Sequence, residues 1–497
     1  MDRKKLFGVV STTVVLTLTL ASCSVGTNDT AGSAGTTDFV NVSLTTDTSS
    51  FFDSSVVHSI ELDVDSDEVL AMVETYLDSG EKEWLEATVV IDGTTYEQVG
   101  IKLKGNSSLR GVTADTPVEE LPWRIRLDKY VDGQSIEGVT DVVVRSNNTE
   151  TALNEAVALE TLSAAGLATE ESIATRFSVN GSEDTLRLTV AVPNESWLER
   201  NYEAGLLPSD DGILWKAESE GDYSWLGDDT ELYADVFDLE VGAEDYEPLV
   251  DFLDVVNNTT DEEFVTQLPE VLDVEAFARY LAIEDLIDNF DDIDGPGNNS
   301  YLYYDPDSGL MSVVAWDHNL AFGTVNSAGD AAGDAAAEGA APGGELPDGE
   351  LPEGGLPEGA PEGDATDLPS EGERPGGAGE GGAPGGLPAD GAGGDAAGGG
   401  QSQQDNNILT TRFTETAEFV AMYEDALDEL QEEIFESGQF ESIVESRSET
   451  LSDDASDLVD AAVLQSEIDD ILAYSSGEVK ENTAGEGEAQ GGTRPGN

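Results

Sequence analysis

Between Asn289 and Gly323 the chain sets out oxygen-bearing side chains at spacings that can hold a divalent cation against a phosphate chain. Asn289, Asp291, Asp292 and Asp294 come first, the pair Asn298 and Asn299 follows, and Asp317, His318 and Asn319 close the stretch. Asn299 lies five residues after Asp294. An irregular loop of that length can hold a carboxylate toward a substrate hydroxyl while the amide turns back to a metal. The residues between Asn299 and Asp317 read as a β-hairpin that returns Asp317 beside both. Carboxylates and amides are hard oxygen ligands of the sort Mg²⁺ or Mn²⁺ takes when it bridges nucleotide phosphates. The chemistry that fits is transfer of a phosphoryl group from ATP to a hydroxyl. Asp294 would act as the base, with Asp291 its rival, and Asn299 and Asp317 would hold the metal.

Other uses of the same residues fit less well. If Gly295 were the glycine of an EF-hand loop, Phe290 and Tyr301 would fall at its first and last ligand positions, and neither binds calcium. His58 and His318 are the only histidines, which excludes a histidine-rich zinc site. His318 reads as an orienting or packing residue. A glycosidase built on two of the carboxylates finds no support elsewhere in the chain.

Phosphates also need cations, and these are scarce: 21 Lys and Arg stand against 105 Asp and Glu, a net charge of -84 at pH 7. Seven of the 21 are Lys102, Lys104, Arg110, Arg124, Arg126, Lys129 and Arg145. A strand from Tyr96 to Lys104, paired through Asp92-Gly93 with one from Ala87 to Ile91, places Lys102 and Lys104 on one face. The loop Gly105-Asn106-Ser107-Ser108 follows, with small side chains and free backbone N–H groups suited to phosphate. Trp123 to Leu127 and Val142 to Arg145 read as further strands, and Thr149 to Ala165 as a helix. Asn180-Gly181 marks a second hairpin. A helix from Val274 to Phe290, capped by Asp273, leads into the loop that carries the first carboxylates.

Three segments together are similar to the CotH kinase family, named for a spore coat protein and related to atypical protein kinases. They are Asn289-Phe290-Asp291 with Asn299-Ser300-Tyr301-Leu302-Tyr303, Trp316-Asp317-His318-Asn319-Leu320-Ala321-Phe322-Gly323, and Gly100-Ile101-Lys102-Leu103-Lys104-Gly105-Asn106-Ser107-Ser108. The resemblance covers most of Ile60 to Gly323. It implies an α+β, divergent protein-kinase-like fold of two lobes: an N-terminal, mostly antiparallel sheet lobe with helices, and a C-terminal helical lobe. It also implies ATP with Mg²⁺ or Mn²⁺ as cofactors and a protein substrate with Ser or Thr acceptors. Lys102, Lys104, Asn106 and Ser107 would then face the nucleotide. Arg124 or Arg126 would take the part of the kinase lysine, with Glu155 placed to pair with that cation, although a solvated glutamate is the default for so acidic a chain. Lys216, in Leu214-Trp215-Lys216-Ala217, is a further phosphate candidate. Asn319 stands where the family has a second aspartate, so it would ligate the metal with one charge less. The family's glutamate at the end of a later strand is replaced here within Val190-Ala191-Val192.

The remaining composition sets the context. The acid excess disfavours nucleic acid and anionic membrane surfaces as partners. Spread along the whole chain, it is the pattern of a protein kept soluble at high salt, which we expect of a halophile. Met1-Asp2-Arg3-Lys4-Lys5, an apolar run to Leu20 and then Ala21-Ser22-Cys23 read as a lipoprotein signal peptide over residues 1–22. Cys23 is the one cysteine and would carry the lipid, tethering an exported protein through residues 23–50 to the outer face of the membrane or the cell surface. Residues 55–325 form the kinase-like domain in this reading. Residues 326–404, rich in Gly, Ala, Pro, Asp and Glu and including Glu345-Leu346-Pro347-Asp348-Gly349 and its near-repeats, are expected to be a disordered insertion. Residues 405–475 would complete the domain with helices, and 476–497 would be a disordered tail. The alternative to a kinase is a catalytically weak or inactive surface lipoprotein that keeps this scaffold as a binding or structural module.

Overall fold

Asp92 and Gly93 both adopt positive φ (46° and 78°), as a two-residue hairpin turn requires. They join β2 (Leu85–Ile91) to β3 (Thr94–Leu103). Asn180 and Gly181 do the same (54° and 76°) between β6 (Ser172–Val179) and β7 (Thr185–Ala191). In the computed structural model, which describes residues 50–105, 107–218, 222–293, 299–324 and 407–479, these hairpins join β1 (His58–Asp63), β4 (Trp123–Arg126) and β5 (Asp141–Val144) in one sheet. The signal peptide, Cys23 and its tether, Asn106, Asp294, the segment 326–404 and nearly all of the tail lie outside the described residues.

The sheet is mostly antiparallel, as the sequence predicts, and it closes on itself. Its order is β1-β2-β3-β4-β5-β7-β6, closed into a barrel by parallel pairing of β1 with β6, where Ile60 lies opposite Phe177. No local turn announces a parallel pair so distant in sequence, and closure leaves no unpaired edge. Along β3 and β4 the side chains alternate. Ile101, Leu103, Trp123 and Ile125 are buried inside, whereas Lys102, Arg124 and Arg126 point out and are only partly covered.

A second sheet runs β11-β10-β8-β9, all antiparallel, from β8 (Ile213–Ala217), β9 (Phe237–Val241), β10 (Ser300–Asp305) and β11 (Leu310–Ala315). Its hairpin β10–β11 shows one face to each of two hydrophobic cores. Tyr301, Tyr303, Val314 and Trp316 join the core of the barrel. Leu302, Met311, Val313 and Ala315 join the core made with the helices. The chain therefore passes between the two cores just before Asp317.

The first helix, α1 (Ser66–Ser79), is capped by Asp65 and ends at Gly80 in the left-handed region. α2 (Leu153–Ala164) begins four residues later than expected, because Thr149 and the backbone N–H of Glu150 donate to Glu467 instead of continuing the helix. α3 (Glu195–Glu203), α4 (Glu247–Asn258) and α5 (Asp261–Val271) follow. α6 (Val274–Leu286) is capped as predicted, the Asp273 carboxylate accepting from the Ala276 N–H. Beyond the segment outside the description come α7 (Ile408–Glu415), α8 (Ala417–Leu430), α9 (Gln439–Asp454) and α10 (Ala461–Leu472). These pack on the helical core: Arg412 lies 4.0 Å over the Phe264 ring, and Phe322 stands 5.7 Å from Phe440 and 5.4 Å from Tyr474. The described residues all belong to one unit, Thr48–Asn497. It is a mixed α/β structure in which the mostly antiparallel sheet closes into a barrel.

Candidate functional site

After α6 the chain turns, with Asp288 at φ 49°, and presents Asn289 and Asp291. Asn299, at the entry to β10, donates its amide to the Asp291 carbonyl (2.7 Å) and carboxylate (3.0 Å). Burial and the nearby Asp317 carboxylate push Asp291 up to about 6. Asp291, Asn299 and Asp317 are thus brought together. Of the two candidate bases, Asp291 is the one the described residues include; Asp294 lies outside them. Asp317 holds φ 68°, a left-handed conformation that a residue other than glycine keeps only where its surroundings hold it. Asn319 offers its backbone carbonyl to Asn154 Nδ2 at 2.8 Å.

The cation that meets these carboxylates is Arg145, just past β5. Its Nη1 lies 2.9 Å from Asp317 Oδ1, and its Nη2 lies 2.6 Å from Glu155 Oε1 and 3.6 Å from Glu170 Oε1. Its guanidinium also stands 5.5 Å over the Trp316 ring. Glu155 is therefore buried and ion-paired, not solvated. It faces inward because it shares the inner face of α2 with Leu159 and Leu162. Arg124 and Arg126 have other partners. Arg124 grips Asp141 with Nε and Nη2 (2.7 Å at the shortest), and Arg126 Nε bonds Asp128 at 2.8 Å. Burial pushes the Glu155 carboxyl up, though Arg145 opposes it, and pushes Glu170 up to about 8. Both Glu170 oxygens are buried without a hydrogen-bond partner.

Lys104 lies 5.7 Å over Trp316, the residue before Asp317. Burial, then the positive charges of Lys216, Arg124 and Arg145, bring its ammonium down to about 7. Lys216 bonds Glu218 at 2.9 Å. Lys102 turns away to the Trp84 ring (4.7 Å), which Lys129 also meets at 4.8 Å. Four cations, Lys104, Lys216, Arg124 and Arg145, therefore interact beside the carboxylate set. The backbone of Ser107 forms a short 3₁₀ turn with Ser108 and Leu109.

Among the described residues no group of three or more His, Cys, Asp or Glu side chains is arranged to hold a metal alone. The donors present are two carboxylates and an amide: Asp291, Asp317 and Asn299. Asp317 Oδ1 is buried and meets Arg145 as an ion pair without hydrogen-bond geometry. This set suits Mg²⁺, which is held by one or two carboxylates plus substrate phosphates rather than by an all-protein cage.

Sequence reasoning passed over three residues. Arg145 is one of seven cations in the basic cluster, and nothing in the sequence distinguishes it from the rest. Glu170 and Glu284 gave no motif; their sole signal is a carboxylate beside apolar neighbours, as in Ala282-Ile283-Glu284. Glu284 accepts from Asn289 Nδ2 (2.8 Å) and meets His318 Nε2 at 2.9 Å. Burial disfavours charge on His318, but Glu284 overrides this and the imidazole is pushed up to about 9. His318 is thus buried in a pair with Glu284.

A family model described as CotH kinase protein matches residues 101–461. A comparison with curated proteins found no match.

Proposed function

Because the chain belongs to the CotH kinase family, we propose that it is an atypical protein kinase that moves the γ-phosphate of ATP to Ser or Thr hydroxyls of an exported protein. The family implies a kinase-like protein, ATP and a divalent metal in general. The reading of individual residues rests on one observation: Asp291, Asn299 and Asp317 converge beside the Arg145–Glu155 pair and Lys104. Mg²⁺ bound with ATP would neutralise the phosphates and the charge that grows during transfer. Asn299 and Asp317 are the residues to hold it, with Asn319 following in the same loop. Asp291 or Asp294 orients the acceptor hydroxyl and takes its proton. Lys104, with Arg124 behind it, meets phosphate oxygens, and Arg145 fixes the Asp317 carboxylate. In this reading the barrel and the helical part are the two lobes of a divergent kinase-like fold. Cys23 carries the lipid of an exported, halophilic lipoprotein.

Lys104 gives this reading a pH dependence. An ammonium brought down to about 7 in the free protein is restored to its charged form by a bound phosphate. Below that pH the lysine is already charged and adds no slope. Above it, nucleotide binding takes up about one proton, and affinity falls by up to about tenfold per pH unit. Calorimetry of ATP binding in buffers of different ionisation enthalpy reads this uptake. A Lys104→Met chain should lose both the slope and most of the affinity.

One observation favours the second reading, a binding module without turnover: Asp317 is already engaged by Arg145, and Asn299 by Asp291. Calorimetry with ATP, with and without Mg²⁺, combined with a turnover assay separates the two. Magnesium-strengthened binding with turnover supports the kinase, and tight binding that Mg²⁺ does not alter and that yields no product supports the module.

A further inference from the structure

Glu284 lies on the last turn of α6 and is 2% exposed. It takes no part in the transfer chemistry above. Its neighbours on the helix, Leu281, Ala282, Ile283 and Leu286, are buried and apolar, and a carboxylate set among them loses its hydration, a cost that only its two polar partners offset. Its two oxygens serve different segments. Oε2 accepts from Asn289 Nδ2 at 2.8 Å, two residues before Asp291, and Oε1 meets Nε2 of His318 at 2.9 Å, one residue after Asp317.

One carboxylate therefore ties the turn after α6 to the loop after β11, and these two loops carry Asp291 and Asp317. The same loops are also joined by backbone bonds farther along, Phe322 N–H to Ile287 C=O (2.6 Å) and Gly323 N–H to Asp288 C=O (3.3 Å). Those bonds preserve the general course of the chain. They do not reach Asp317, whose left-handed backbone at φ 68° needs an anchor close by. Arg145 holds its carboxylate, and the His318 ring on Glu284 anchors the backbone just after it.

We infer that Glu284 is a positioning residue: by holding Asn289 and His318 together it sets the separation of the Asp291–Asn299 pair from Asp317, and with it the affinity for a divalent cation arriving with nucleotide. The inference rests on the reading of those three residues as a phosphate-bridging metal site. Groups that orient metal ligands without touching the metal are worth about 10- to 100-fold in affinity.

The test is Mn²⁺ uptake by the full chain in the presence of ATP, followed by electron paramagnetic resonance, with thermal unfolding as a control on folding. Glu284→Ala should unfold at a lower temperature and, at temperatures where it is folded, bind Mn²⁺ about 10- to 100-fold more weakly. Glu284→Gln should stay within about threefold of the native chain, because its carbonyl can accept from the His318 ring while its N–H donates to Asn289 once that amide turns over. His318→Ala should match Glu284→Ala, and the double variant should be no worse than either, since all three break the same tie. If Glu284→Ala does not fold, the His318→Ala and Glu284→Gln chains carry the comparison. Native affinity in a folded Glu284→Ala or His318→Ala chain would overturn the inference alone, as would a glutamine variant as weak as the alanine one. A native chain that takes up no Mn²⁺ with ATP would overturn the metal-site reading, and the inference with it.

Discussion

Replacing Arg145 by methionine should destabilise the chain by about 3–5 kcal/mol, the usual cost of leaving a buried charge without its partner. The arginine faces three carboxylates, Glu155, Glu170 and Asp317, and the first two are buried. Methionine fills the volume but removes the counter-ion of whichever of these carboxyls are ionised. In a protein of this size the loss should lower the unfolding temperature by about 10 °C. The pH dependence distinguishes this cause from a packing defect. Glu155 and Glu170 are held above the ordinary carboxylate range even with Arg145 in place, Glu170 at about 8. A carboxyl raised in the folded state is protonated there while still ionised in the unfolded chain, so stability falls as pH rises from the unfolded value to the folded one. Without Arg145 that window widens upward. The variant should therefore recover much of its stability toward acidic pH, as these carboxyls take up protons, and lose most above about pH 8, where Glu170 ionises. Thermal unfolding across this range reads the effect; a loss that is the same at every pH would place its origin in packing.

Asp317→Ala should have the opposite profile, a small change in stability and a large one in activity. Arg145 keeps Glu155 and Glu170 as partners when Asp317 is removed, so no charge is stranded, and the left-handed backbone at φ 68° is the main strain left behind. Transfer, however, loses the carboxylate that would hold the metal against the phosphates. Several kcal/mol of charge stabilisation correspond to a fall of about a thousandfold or more in turnover. Asp317→Asn is the finer probe. It keeps an oxygen ligand with one charge less, so higher Mn²⁺ should restore part of its rate and none of the alanine variant's.

The hairpins and the frame of the site are legible in the sequence because local chemistry decides them. Asp92-Gly93 and Asn180-Gly181 can hold positive φ, Asp273 can cap a helix, and the turn Asp305-Pro306-Asp307-Ser308-Gly309 separates two short, mainly buried strands. What the sequence hides is decided at long range. Barrel closure depends on β1 meeting β6 in parallel, which no turn announces. The pairing of Glu155 with Arg145, rather than with Arg124 or Arg126, depends on which outward strand positions α2 covers: Arg124 is satisfied across the sheet by Asp141 and Arg126 by Asp128. Glu284 is hidden for a related reason. In a chain with 105 acidic residues, one more glutamate carries no signal until burial singles it out.

Incorporation of label from γ-labelled ATP into protein tests the central claim most directly, using the native full chain in molar salt with Mg²⁺ or Mn²⁺ and a Ser- and Thr-bearing exported protein as acceptor. The account predicts labelled Ser or Thr that requires the divalent cation and disappears in the Asp317→Ala chain. Label that persists in Asp317→Ala, or a folded native chain that binds ATP with Mg²⁺ yet labels neither itself nor any acceptor, would contradict it and leave the binding module as the function of the fold.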